Sequence, residues 1–151
     1  MKSRAELLAV DSSSTNKLVG LFSSSYMSFE IDRDPAKEPS LAEMTAKALE
    51  VLGKNSKGFF LMVEGGLIDI AGHYWDAAAL VKEVVAFDDA VKVAMEFARR
   101  DGQTLVIVTA DHATGGLRIA EPLDLKTLGK VKASAFRMAR RLTPDLSNVR
   151  E

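Results

Sequence analysis

Two unbroken apolar runs constrain this chain more than any other feature: "GFFLMVE" (Gly58–Glu64) and "TLVIVTA" (Thr104–Ala110). Neither alternates apolar with polar residues, which is the pattern of a strand covered on both faces. A shorter run, "KLVGLF" (Lys17–Phe22), is of the same kind. Helical patterns separate them. "SLAEMTAKALEVLG" opens on Ser40 with Glu43 in capping-box register and closes on Gly53. Its Leu41, Met44, Ala48 and Val51 or Leu52 fall at helical spacing. A longer pattern covers about Asp76 to Arg100, with Val81, Val84, Val85, Ala94, Phe97 and Ala98 in its apolar stripe. It ends on basic residues and Gly102, which suits the helix dipole and the C-cap. A third helix is expected within Leu125–Leu142.

Strand, helix, strand, long helix, strand, helix is the order of βαβ units. The expected fold class is α/β, a three-layer parallel-type sheet with helices on both faces. Three strands are few against the usual mean of about 5–6. A sheet that thin has two edges to protect, so it is expected to be an incomplete portion of a larger one. The 151 residues fit one domain spanning 1–151. A net charge of −1 provides no field for nucleic acid or an anionic membrane surface. No stretch reaches the roughly 18 apolar residues of a membrane span. The opening "MKSRAELLAV" lacks the pattern of a signal peptide, so if the parent protein is exported its targeting segment is expected to lie outside this chain. With no cysteine, disulfides, thiolate metal sites and cysteine nucleophiles are excluded.

In open parallel sheets, ligands gather at the carboxyl ends of strands. Both long runs end on the same chemistry. After "GFFLMV" come Glu64, then Asp69, then His73; after "TLVIVTA" come Asp111 and His112. Imidazole and carboxylate together suit zinc (Zn2+), which takes about four ligands near 2.0–2.2 Å. Asp69 and His73, four apart, can grip one ion from a single helical turn. Asp111 and His112 can hold a second. Glu64, an oxygen donor with no imidazole nearby, better suits magnesium (Mg2+). Each feature alone has a plainer reading: an aspartate after a strand often caps a helix, and a lone histidine is often an ordinary polar residue. The coincidence is what points to metal, since both histidines of the chain sit within four residues of an aspartate, each just after an apolar run.

Other features carry less. "DSSST" (Asp11–Thr15) precedes a strand rather than following one and reads as a polar loop, not a nucleophile. Lys126, Lys130, Lys132, Arg137, Arg140 and Arg141 read as a solvated helix face. Trp75 reads as a cap over the edge of the site or the core.

Taken together, "GFFLMVEGGLIDIAGH", "FDDAV" and "TLVIVTADHATGG" resemble the bacterial alkaline phosphatases, as does the upstream "KLVGLF…FEIDRDPAKEPSLAEMTAKAL". The resemblance covers roughly Lys17 to Phe136. It implies that Asp69 and His73 are ligands of a first zinc, Asp111 and His112 of a second, and Glu64 of a magnesium ion. These are the five residues that the strand ends single out. The implied reaction is hydrolysis of phosphate monoesters through a phosphoserine, with two zinc ions assisting the nucleophile and the leaving group. The family is often dimeric and is often periplasmic or secreted. Three of its features have no counterpart here: the nucleophilic serine in an Asp-Ser-Ala motif, the phosphate-binding arginine, and the late histidine completing the first zinc site. No catalytic nucleophile is therefore identified.

The resemblance implies the middle-to-late part of an alkaline phosphatase, inactive by itself and awaiting a complementary chain or a second copy. Two other readings stay open: a non-catalytic metal- or phosphate-binding α/β module, and a stable α/β domain with vestigial ligands.

Overall fold

The Ser40 capping box is realised in full in the computed structural model, which describes residues 1–118, 122 and 124–142. Ser40 Oγ accepts from the Glu43 backbone N–H at 3.1 Å, and the Glu43 carboxylate accepts from the Ser40 N–H at 2.9 Å. Helices α1 (Arg4–Leu8) and α2 (Leu41–Leu52) are joined by the same Glu43, which takes a two-pronged contact from the Arg4 guanidinium at 2.6–3.1 Å. That guanidinium holds the Glu43 carboxyl below its usual range.

Four further helices follow: α3 (Leu67–His73), α4 (Ala77–Asp101), α5 (Leu125–Leu128) and α6 (Ala135–Ala139). At 25 residues, α4 is about 37 Å long. It begins on Asp76, whose side chain accepts from the Ala79 N–H, and stops on Gly102 at a φ of 72°, a left-handed C-cap. Both α2 and α3 pack on it. The core gathers where α3 meets α4: Phe29, Ala71 and Ala79 are buried, with Ile31, Leu67, Ile70 and Leu80 around them. Among the described residues, no helix is long and apolar enough to cross a membrane.

Polar contacts tie the irregular segments to this frame. Glu83 of α4 is buried and accepts from the Glu30 N–H at 2.5 Å. Burial raises its carboxyl above the usual range. The N-terminus of α6 is held by two carboxylates: Asp32 accepts from the Ser134 hydroxyl and N–H, and Asp76 accepts from the Ala135 N–H. In the "DSSST" segment, Asp11 accepts from Ser13 and Ser14, while the Lys54 ammonium donates to the carbonyls of Ser12, Ser13 and Thr15. The polar-loop reading of that segment holds.

The expected α/β fold does not. None of the described residues lies in a strand, and all regular structure among them is helical. A strand needs a ladder partner for its N–H and C=O groups. Within Lys17–Phe22 only Met1 pairs with the backbone, accepting from the Leu21 N–H and donating to the Val19 carbonyl. None of the three runs pairs with another as a strand, so among the described residues there is no parallel sheet and no three-layer arrangement. From residue 59 to 64 exposure still alternates with the two-residue period of a strand. Phe59 sits edge-on to Phe97 of α4, its ring centroid 5.8 Å away, while Phe60 is 89% exposed. Helix α4 thus covers one side of the 59–64 run, and Phe60, Met62 and Glu64 on the other side are exposed.

Two helix expectations also need correction. The predicted stripe of α4 is only partly the buried one: Val81, Val84 and Val85 are exposed, and Ala78, Ala79, Glu83 and Ala90 are buried. The single helix expected within Leu125–Leu142 is two short ones, divided by Gly129 and restarted by Ser134, whose hydroxyl accepts from the Arg137 N–H. The basic residues there are exposed, and Arg137 also donates to the Asp32 carbonyl.

Candidate metal centre

Helix α3 starts without a side-chain cap, on Gly66, immediately after the Gly58–Glu64 run. Its seven residues divide cleanly: Leu67, Ile70 and Ala71 go to the core, while Asp69 and His73 share the outer face one turn apart. Asp69 Oδ2 lies 3.5 Å from His73 Nε2. The second pair stands where the Thr104–Ala110 run ends. There Asp111 Oδ2 lies 3.3 Å from His112 Nε2. Both imidazoles are more than half exposed.

Two glycines bring the pairs together. A β-carbon on Gly115 would stand 2.4 Å from the Gly72 carbonyl oxygen, and one on Gly72 would stand 3.1 Å from Thr114 Cβ. Gly115 also has a φ of 64°, which favours glycine. This close seat lays the 111–116 segment on α3. Trp75, just past the helix in a left-handed conformation at a φ of 55°, flanks the same seat and is 68% exposed. It borders the site rather than covering it.

Across the seat, Thr114 Oγ1 donates to Asp69 Oδ1 at 2.6 Å and lies 3.3 Å from His112 Nδ1. His112 Nδ1 is also 3.1 Å from the Ala113 carbonyl oxygen. A carbonyl can only accept, so this contact calls for a proton on Nδ1; Nε2, 3.3 Å from the Asp111 carboxylate, would then have its lone pair to offer to a metal shared with that carboxylate. Sequence reasoning missed Thr114. Its signal was a hydroxyl residue two positions beyond His112 in the glycine-rich exit.

Donors on one tetrahedral zinc, at 2.0–2.2 Å from it, stand about 3.4 Å apart. The spacings of 3.5 and 3.3 Å within the two pairs suit that edge, and they equally suit a carboxylate–imidazole contact with no metal. Among the described residues, no three of the His, Asp and Glu side chains converge as a metal-binding group. Each pair thus offers two donors of the kinds that zinc takes, short of a complete set. Glu64 is exposed and joins no such group among the described residues.

Residues 1–140 match the family described as alkaline phosphatase. Alkaline phosphatase 4 of Bacillus subtilis is 47% identical over 111 residues, covering 74% of this chain and 24% of that protein. Alkaline phosphatase of Escherichia coli strain K12 is 50% identical over 95 residues, covering 63% of this chain and 20% of that protein. The crystal structure of Thermus thermophilus alkaline phosphatase aligns with a TM-score of 0.82 at 36% identity, over 94% of this chain and 32% of that one. The chain thus spans about a quarter or less of these two curated relatives and about a third of the solved structure.

Proposed function

This chain belongs to the alkaline phosphatase family, and from that premise we propose that its residues supply half of a two-zinc site for hydrolysing phosphate monoesters. Membership carries phosphatase chemistry at the family level. The observation behind the finer reading is the pair of carboxylate–imidazole couples on two segments that touch at Gly72 and Gly115. Asp69 and His73 would hold one zinc ion, and Asp111 and His112 the other. Bound zinc would supply Lewis-acid polarisation of the phosphate ester oxygens.

The chain's own part is orientation. Asp69 turns Oδ1 toward Thr114 and Oδ2 toward His73, so a single oxygen faces each partner. His112 turns Nδ1 to the backbone and Nε2 to Asp111. Both half-sites open to solvent, which gives a phosphate ester access. No described residue is assigned as nucleophile. On this reading the 151-residue chain alone binds zinc weakly, because open positions are left to water, and does not turn over an aryl phosphate.

Zinc titration by calorimetry on the purified chain tests this. Zinc uptake that weakens at least tenfold in His112→Ala is the expected result. Equal affinity in the two proteins would overturn the assignment and favour vestigial ligands. Hydrolysis of an aryl phosphate by the chain alone, abolished in His112→Ala, would overturn the claim that it is incomplete.

A further inference from the structure

Behind the two half-sites runs one short hydrogen-bonded chain. Thr114 Oγ1–H donates to Asp69 Oδ1 at 2.6 Å, which leaves the hydroxyl lone pairs facing His112 Nδ1 at 3.3 Å. The proton that the Ala113 carbonyl requires on Nδ1 can be shared with that hydroxyl. The result is an ordered sequence: His112 Nδ1–H to Thr114 Oγ1–H to Asp69 Oδ1. The atoms it engages are the ones facing away from the partner in each pair. Those it leaves free, Asp69 Oδ2 and His112 Nε2, are the ones aimed at His73 and Asp111. Thr114 and Asp69 are half-buried while the two rings and Asp111 are exposed, so the Thr114–Asp69 contact is the best-anchored part of the cluster. Its place is set by backbone, since Gly72 abuts its Cβ and Gly115 follows in the left-handed conformation.

We propose that Thr114 is the positioning residue of this centre, joining the two zinc half-sites through one hydroxyl that orients Asp69 and His112 at once. The inference rests on the zinc reading above. Outer hydrogen bonds of this kind fix the tautomer and direction of a ligand, and their loss typically weakens metal binding about 10–100-fold. Valine matches threonine in shape and removes the hydroxyl; serine keeps the hydroxyl and removes the methyl.

The test is zinc calorimetry on the full chain, its Thr114→Val and Thr114→Ser variants, and His112→Ala, with circular dichroism and thermal melts as a check on folding. A second readout, on the metal-free proteins, is the tautomer of the His112 ring from its nitrogen chemical shifts. The expected result is that Thr114→Val folds normally but binds zinc at least tenfold more weakly, and that its His112 ring moves toward a tautomer mixture. Thr114→Ser is expected within about threefold of the parent chain, with the Nδ1–H tautomer retained. If Thr114→Val binds as the parent does while His112→Ala loses binding, Thr114 positions nothing and the zinc reading stands. If the parent chain takes up no zinc, both readings fall.

Discussion

At Gly115 the backbone leaves no choice of residue. Its φ of 64° disfavours any side chain, and a β-carbon there would strike the Gly72 carbonyl. Gly116 has nearly the same φ, 67°, but open space around it, so the two separate conformation from contact. Gly116→Ala is expected to cost about 1 kcal/mol for the left-handed conformation alone. Gly115→Ala adds the steric displacement of the 111–116 segment and is expected to cost about 2–3 kcal/mol. Urea unfolding of both variants gives the comparison, and only Gly115→Ala should also depress zinc uptake. Glu83 makes a pH prediction. Burial raises its folded carboxyl above the unfolded value, so the folded state holds more protons and stability falls as pH rises through the raised pKa. Glu83→Gln retains an oxygen to accept from Glu30 and is expected to flatten that slope in melts between pH 4 and 7. Asp11 acts in the opposite direction. Hydrogen bonds from Ser13 and Ser14 lower its pKa to about 2, so its contribution is present above the unfolded value of 3.8 and fades as pH falls toward 2. The five candidate ligands stand out at this scale because the chain has only two imidazoles, each within four residues of an aspartate. Thr114 does not, since a threonine in a loop looks the same whether it holds a carboxylate or water.

Among the elements, α2 and α4 were readable because their ends are written locally. Ser40, Glu43 and Asp76 each satisfy backbone donors within three residues, and Gly102 ends α4 by conformation. Ser40→Ala is expected to destabilise the chain by about 1 kcal/mol, read by urea denaturation. Which side of a helix is buried is not local. Val81, Val84 and Val85 looked like core and stand exposed, while Glu83 on the same stretch is inside because Glu30 needs an acceptor. The break between α5 and α6 depends on distant groups too: Asp32 and Asp76 fix the start of α6 from 102 and 59 residues away.

For the whole molecule, the apolar runs predicted a parallel sheet, and the described structure has none. Sequence shows that a run is apolar enough for two-sided cover; it cannot show that the cover is present. Here α4 supplies one side only. Phe60, Met62, Leu105 and Ile107 remain exposed, with unpaired backbone alongside them. Surfaces of this kind promote association. The purified chain is expected to self-associate at micromolar concentration in light scattering, and the double change Phe60→Lys with Ile107→Lys is expected to shift it toward monomer. An unshifted distribution would place the association elsewhere.

The Thr114–Asp69 contact spans 45 residues of chain, of which α4 accounts for 25. On the zinc reading the two pairs meet only when the chain beyond α4 has folded back, whereas α4 forms through local contacts, so closure of the pairs is expected to be the slower event. In a refolding experiment the helical signal should recover first and the capacity to bind zinc afterwards, making zinc uptake a clock for the last step of folding.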